Sequence, residues 1–467
     1  MIINTDIAVI GGGPGGYVCA IRCSQFGAKV ILIEKETVGG TCSNRGCIPA
    51  KAFVESSIRF KQMKEGKKFG LSAKDLNFDF ASIQKRKQRI VKQLVKGVEF
   101  LLQENHIQVI KGTGSFIDSK TIEITGGVDK YIVKADKIII ATGSKPFKVP
   151  IPGIDGKNVI TSDKLLEFNE VPESMVIIGG GAIGDEFASV LSSFGTKVTI
   201  IEMLSHLIPM EDEEIAIELE KAFRRQKINV HTSCRVTKIE DDDQGQKLVT
   251  YLDSNGNEQQ ANAQCVLLSV GRIPEIKGLN PETAGIKVGK RGIIVNSKLE
   301  TNIEGIYAIG DCIEPPHPML AYTASLEGEI AAENALGHEP KEIDYFSTPS
   351  CIFTDPEVSS TGLREREARE KEMNVLIGKF PYKGIGKAVI HGEPRGLVKV
   401  ILDADTHEVL GCHIIGAHAT ELIAEPTLAV SKKLTAEDII ETQHCHPVFY
   451  EIFKEAILDG LDRAIHK

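Results

Sequence analysis

The chain of 467 residues contains no run of ~18 apolar residues, so nothing in it reads as a membrane-spanning helix. It lacks a long basic run as well, and its formal net charge of −9 argues against a nucleic-acid binder. No signal or transit peptide precedes the first apolar run, Ile7 to Ile10, so a cytoplasmic location is expected, a processed end being the alternative. The ten cysteines show no framework spacing, and without a signal sequence most are expected to be reduced and buried. Cys19 and Cys23 stand i, i+4 on one face of a predicted helix, where packing is the better reading. What remains is an ordinary globular composition, 42% hydrophobic and 25% charged. The chain exceeds the ~250–300 residues at which one core stops growing, so two to four domains are expected.

An internal repeat organises the chain. Residues 7–34 read "IAVIGGGPGGYVCAIRCSQFGAKVILIE" and residues 175–202 read "MVIIGGGAIGDEFASVLSSFGTKVTIIE". One offset of 168 carries Gly11, Gly13, Gly16 and Glu34 onto Gly179, Gly181, Gly184 and Glu202. Each glycine triplet follows an apolar strand and opens a helical stretch, and a second strand ends in the acid. That context is the dinucleotide fingerprint. The first glycine permits a tight turn, the second lets the backbone approach a pyrophosphate, and the third lets helix and strand pack closely. The helix N-terminus offers free N–H groups to phosphate. The acid accepts hydrogen bonds from a ribose 2′-hydroxyl and would repel a 2′-phosphate, so Glu202 favours NAD over NADP. Two such sites suggest a flavin on one and a nicotinamide on the other. "KIIIATGSKP", 137–146, and "NIEGIYAIGDC", 302–312, read as further buried strands, and Asp311 at the end of the second suits a polyol hydroxyl. After residue 345 the texture turns α+β. "GLVKVILD" and "VLGCHIIG" read as strands, with a helical stretch near 419–433 and a C-terminal helix near 447–460.

"GGTCSNRGCIPAKAF", 39–53, places Cys42 and Cys47 five positions apart. The pair could be a metal clip, a structural bridge, two inert buried thiols or a redox disulfide. A closed metal site needs about four ligands and no Cys or His cluster adjoins the pair, so no metal is expected. On a straight helix, residues five apart differ by ~140° and ~7.5 Å. A disulfide needs Cα atoms within ~7 Å, so the backbone must turn or distort between them. Gly39, Gly40 and Gly46 permit this, and a bridge held awkwardly is easier to reduce. A helix N-terminus favours thiolate, with Arg45 and Lys51 as further candidates. A proton acceptor is offered by "HCHPVFYE", 444–451, through His444, His446 and Glu451.

These motifs, with "ATG", "VGRIP", "IYAIGDC" and a late His-Pro followed by Glu, resemble the pyridine nucleotide-disulfide oxidoreductases essentially end to end. The resemblance implies an α/β fold: two Rossmann-like dinucleotide-binding domains, for FAD and NAD, plus a C-terminal α+β interface domain. The expected division is an FAD domain at 1–149, an NAD domain at 150–273, a central domain at 274–345 and an interface domain at 346–467. It implies FAD contacts at Gly11, Gly13, Gly16, Glu34, Lys51, Gly112, Ala141, Thr142, Gly143, Asp311 and Ala321, and NAD contacts at Gly179, Gly181, Gly184, Glu202 and Gly271. Lys51 and Glu186 correspond to an ion pair near the flavin. His446 and Glu451 correspond to a base and its orienting acid, supplied by the partner in a homodimer with shared active sites, and His444 is not the base. The implied activity oxidises protein-bound dihydrolipoamide to lipoamide and reduces NAD+. Cys42 is the exchange thiol and Cys47 the thiol beside the flavin. The implied partners are lipoyl domains and the acyltransferase core of 2-oxo acid dehydrogenase complexes. The chain departs from the pattern at Arg45, Asp185, Tyr322 and Val448-Phe449-Tyr450.

Overall fold

The computed structural model describes residues 1–127 and 129–467. The chain folds into two compact units: residues 1–52, 82–147 and 271–345 form the first, and residues 53–81, 148–270 and 346–467 the second.

The first unit is built on a seven-stranded sheet. Strand Ile2–Ile10 lies at its centre, parallel to Val30–Glu34 on one side and to Tyr131–Ile140 on the other. Gln108–Lys111 extends the parallel part, Ile306–Ala308 pairs with Tyr131–Ile140, and Thr121–Thr125 and Thr113–Asp118 run antiparallel at the edge. Ile7 to Ile10 and Ile31 to Ile33 are buried, as continuous β-branched runs require when both sheet faces are covered. Helix Pro14–Gln25 packs against helix Ala321–Ala335, and the crossing is close because Gly328 has no side chain; a Cβ there would sit 2.5 Å from the Gly15 carbonyl oxygen. Cys19 and Cys23 are buried in this core.

The second unit holds three sheets. Asn229–His231, Lys197–Ile201, Ser174–Ile178, Cys265–Leu268 and Val159–Thr161 form an all-parallel sheet. Arg235–Asp241, Lys247–Leu252 and Glu258–Ala263 form an antiparallel one. The third is antiparallel, in the order Ser350–Ile352, Glu357–Gly362, Val409–Gly416, Leu397–Asp403, Val375–Pro381, and helix Glu451–Gly460 packs on its last two strands. Two expected elements differ. The C-terminal helix begins at Glu451 rather than near 447, because residues 447–450 turn to let the Val448 N–H reach Glu451 Oε2 at 2.9 Å. The stretch near 419–433 is two helices, Ala419–Leu422 and Ala424–Lys432, and Pro426 brings no N–H with which to continue the first ladder. Among the described residues no helix is long and apolar enough to cross a membrane.

Candidate active site

The sequence repeat persists in the hydrogen bonds. Glu34 Oε2 accepts the Gly12 N–H at 2.7 Å and Oε1 accepts the Glu36 N–H at 2.7 Å. Glu202 does the same, with the Gly180 N–H at 2.6 Å and the Leu204 N–H at 2.7 Å. The offset of 168 therefore holds atom for atom. Gly11 and Gly179 have φ +108° and +101°, which side chains rarely adopt, and a Cβ would meet the Ala141 or the Ser269 carbonyl oxygen at 2.2 and 2.6 Å. The third glycines approach the first: a Cβ on Gly16 would lie 1.9 Å from Gly11 O, and one on Gly184 2.3 Å from Gly179 O. At the middle glycines the space is open. No heavy atom comes within 4 Å of a Cβ built on Gly181, and for Gly13 the nearest is at 3.9 Å.

The surroundings of both loops fit dinucleotides. In the first unit Thr323 Oγ1 is buried without a hydrogen-bond partner among the described residues, Thr142 Oγ1 is buried beside the Cys312 thiol, and Gly143 faces open space. Asp311 lies in the short turn Gly310–Cys312 after strand Ile306–Ala308. Its Oδ2 accepts from Ser144 Oγ at 2.5 Å, while Arg272 Nε donates to that same Oγ at 2.7 Å. Each of the carboxylates Glu34, Glu202 and Asp311 keeps acceptor capacity beyond these bonds. Gly112 donates its N–H to Glu34 O at 2.9 Å, and Ala321 opens the helix Ala321–Ala335. Gly271 belongs to the first unit, whereas Gly179, Gly181, Gly184 and Glu202 belong to the second.

Asp185, in the first turn of helix Ala182–Ser193, is fully buried, and neither carboxylate oxygen has a hydrogen-bond partner among the described residues. Burial, then Glu202, Glu220 and Glu186, push its carboxyl well above the usual range. Its neighbour Glu186 accepts the Phe353 N–H at 3.0 Å.

Cys42 and Cys47 are thiols that hydrogen-bond to one another. Cys42 lies on helix Gly40–Arg45 and Cys47 opens helix Cys47–Glu65. The break expected from their spacing falls at Gly46, with φ −139° and ψ −111°. The hydrogen bond to Cys47 raises the Cys42 thiol well above its ordinary range, helped by burial and by the Cys47 charge; Lys51 and the Cys47 backbone N–H oppose this. That N–H belongs to the first residue of a helix, the position that favours thiolate. Of the two candidate cations, Lys51 acts on Cys42, whereas Arg45 ion-pairs with Glu36. Tyr17 was not singled out from the sequence. Burial raises its phenol, and the Cys42 charge adds to the effect.

In the second unit His446 Nδ1 donates to Glu451 Oε1 at 2.7 Å, which leaves Nε2 with its lone pair. Glu451 is fixed through its other oxygen by the Val448 N–H. The His446 side chain is 77% exposed and so open to proton exchange, whereas His444 is mostly buried and bound to Glu425 at 2.7 Å. His446 and Glu451 are therefore hydrogen-bonded to one another within this unit.

Residues 5–328 match the model of the pyridine nucleotide-disulphide oxidoreductase family, and residues 348–457 match its dimerisation domain. A dihydrolipoyl dehydrogenase of Bacillus subtilis is 38% identical, with all of both chains covered. One of Geobacillus stearothermophilus is 38% identical over 99% of this chain and 98% of its own. The mitochondrial enzyme of Pisum sativum is 36% identical over 99% and 93%. Among solved structures, the HOCl-induced flavoprotein disulfide reductase RclA from Escherichia coli superposes with a TM-score of 0.86 at 28% identity, covering 97% of this chain and 99% of its own. The protein is a homodimer, and an oxidoreductase that uses FAD and NAD. With both family models matched and full-length relatives at this identity, the chain belongs to the pyridine nucleotide-disulphide oxidoreductase family.

Proposed function

We propose that the protein oxidises protein-bound dihydrolipoamide to lipoamide and reduces NAD+, the activity for which its curated relatives are named. The observation that carries this reading is the thiol pair, hydrogen-bonded across the break at Gly46 with a helix amide directed at Cys42. The exchange balances without another reagent. With the pair oxidised, a substrate thiolate attacks Cys42 Sγ, the Cys42–Cys47 bond breaks, and Cys47 leaves as thiolate. The second substrate thiol gives up its proton and attacks the substrate sulfur held on Cys42. The mixed disulfide breaks and lipoamide departs. The substrate loses two electrons and the cysteine pair gains them.

His446 is the proton acceptor in this reading, with Nε2 the accepting atom because Glu451 holds Nδ1–H. Both are assigned to the partner subunit's side of a shared active site. When bound, FAD supplies the acceptor for the electrons on Cys47, and NAD+ the final hydride acceptor. FAD is assigned to Gly11, Gly13, Gly16, Glu34, Lys51, Gly112, Ala141, Thr142, Gly143, Asp311 and Ala321. NAD is assigned to Gly179, Gly181, Gly184, Glu202 and Gly271. Lys51 and Glu186 are carried as the charged pair near the flavin. The four-part division at residues 149, 273 and 345 belongs to the same reading. So do a cytoplasmic location and service to 2-oxo acid dehydrogenase complexes through their lipoyl domains.

The test is anaerobic addition of dihydrolipoamide to the purified yellow protein. A long-wavelength thiolate-to-flavin band should form, and NADH should follow when NAD+ is added. Cys42→Ser or Cys47→Ser should abolish turnover. No band, or near-normal turnover in either variant, rejects the relay; reduction of the protein by NADPH in preference to NADH points to a reductase instead.

A further inference from the structure

Glu327 is fully buried on helix Ala321–Ala335, amid alanine and glycine. An acid merely filling space there would be costly, but both oxygens are used. Gly310 N–H donates to Oε2 at 2.5 Å and Tyr345 O–H donates to Oε1 at 2.7 Å. Gly310, at φ +68°, opens the turn that carries Asp311. The turn is therefore gripped at two points. Glu327 holds the Gly310 amide, and Ser144 holds the Asp311 carboxylate at 2.5 Å. Ser144 is itself fixed by Arg272 through Oγ at 2.7 Å and through its carbonyl oxygen at 2.8 Å.

We propose that Glu327 is a positioning residue for flavin binding: through the Gly310 N–H it fixes the turn so that Asp311 presents its remaining lone pairs to the ribityl hydroxyls of FAD. This rests on the reading of Asp311 as a flavin contact.

The grip is sensitive to pH. Among the described residues Asp311, Tyr345 and the Cys312 thiol are the titratable groups that act on Glu327, and His317, whose imidazole burial lowers, lies against the same Gly310 turn. Burial raises its carboxyl to about 7; the Gly310 N–H and the Tyr345 O–H pull it down, and Asp311 adds to the rise. The ionised carboxylate accepts from both donors in charge-assisted bonds, whereas in the neutral acid Oε1 can donate to the Tyr345 hydroxyl and the Gly310 N–H is left with a weaker, uncharged acceptor. The hold on the turn therefore weakens as pH falls through about 7.

The experiment follows release of FAD from the diluted holoenzyme by flavin fluorescence, from about pH 5.5 to about 8.5. Release from the wild type should quicken on acidification, with its inflection near 7. Glu327→Gln keeps the shape but not the charge, so release should be about tenfold faster at alkaline pH and the inflection should vanish. Tyr345→Phe removes a donor that favours the ionised form, so its inflection should move upward. Asp311→Asn should release FAD faster than the wild type at every pH. If Asp311→Asn loses flavin while Glu327→Gln keeps the wild-type rate and profile, the positioning role is overturned and the Asp311 reading survives. If Asp311→Asn holds FAD as the wild type does, the Asp311 reading fails and the proposal falls with it. Should Glu327→Gln not fold, an unmoved inflection in Tyr345→Phe overturns the proposal by itself.

Discussion

Asp185 and Glu327 are both buried acids, and only one of them has partners. Asp185 has none among the described residues, and its proton is held by burial beside Glu202, Glu220 and Glu186. The unfolded chain loses this proton near pH ~4, whereas the folded protein keeps it to higher pH. The titration of Asp185 therefore adds no cost in acid, beyond that of burying an unpartnered carboxyl, and progressively opposes the fold as pH rises above that value. Asp185→Leu should raise the melting temperature, by the equivalent of about 1–3 kcal/mol at neutral pH. Thermal scans should show a larger gain near pH ~8 than near pH ~5. The sequence flagged Asp185 because it departs from a motif. Glu327 carried no such flag, since its partners lie 17 and 18 residues away and meet it only through the fold. The Cys42–Cys47 and His446–Glu451 contacts could be anticipated because each is local in sequence, whereas that of Ser144 and Arg272, 128 residues apart, could not.

Among elements, the strands Leu397–Asp403 and Val409–Gly416 follow from their apolar runs, and the break at Gly46 follows from the reach of a disulfide. Helix ends were less legible because they depend on which side chain takes a free amide, as Glu451 does at Val448. Helix Glu451–Gly460 crosses strand Val375–Pro381 at Gly378, where a Cβ would lie 1.9 Å from Ala456 O. Gly378→Ala should push the helix off the sheet at a cost of about 1–3 kcal/mol. The helix begins with the acid that orients His446, so lipoamide turnover should fall while the FAD content of the purified protein stays unchanged. Flavin absorbance and steady-state rates on the same preparation check both halves.

The whole molecule was legible where it repeats itself and illegible where distant segments converge. Lys399 is the clearest case of convergence. Its buried ammonium meets Asp212 at 2.9 Å, Glu214 at 2.7 Å and Glu365 at 2.6 Å. Burial acts to raise the Glu365 carboxyl, but Lys399 and Arg369 overcome it and hold it down at about 2. A depressed carboxyl stabilises fully above its unfolded value and loses that contribution as pH falls toward about 2. Lys399→Met leaves three carboxylates facing a removed charge and should cost about 3–5 kcal/mol at neutral pH. Urea midpoints should show the deficit shrinking as pH falls through the carboxylate range, and an equal deficit in acid would rule out the ionic account. The repeat has a different consequence. Glu34 and Glu202 each tie their own glycine loop, through one of its amides, to the turn that follows the acid, through another, using only groups of the chain itself. The loop's shape is thus set by the protein rather than taught by the nucleotide, so association at either loop should proceed as a single kinetic phase, with the entropic penalty of ordering falling on the ligand.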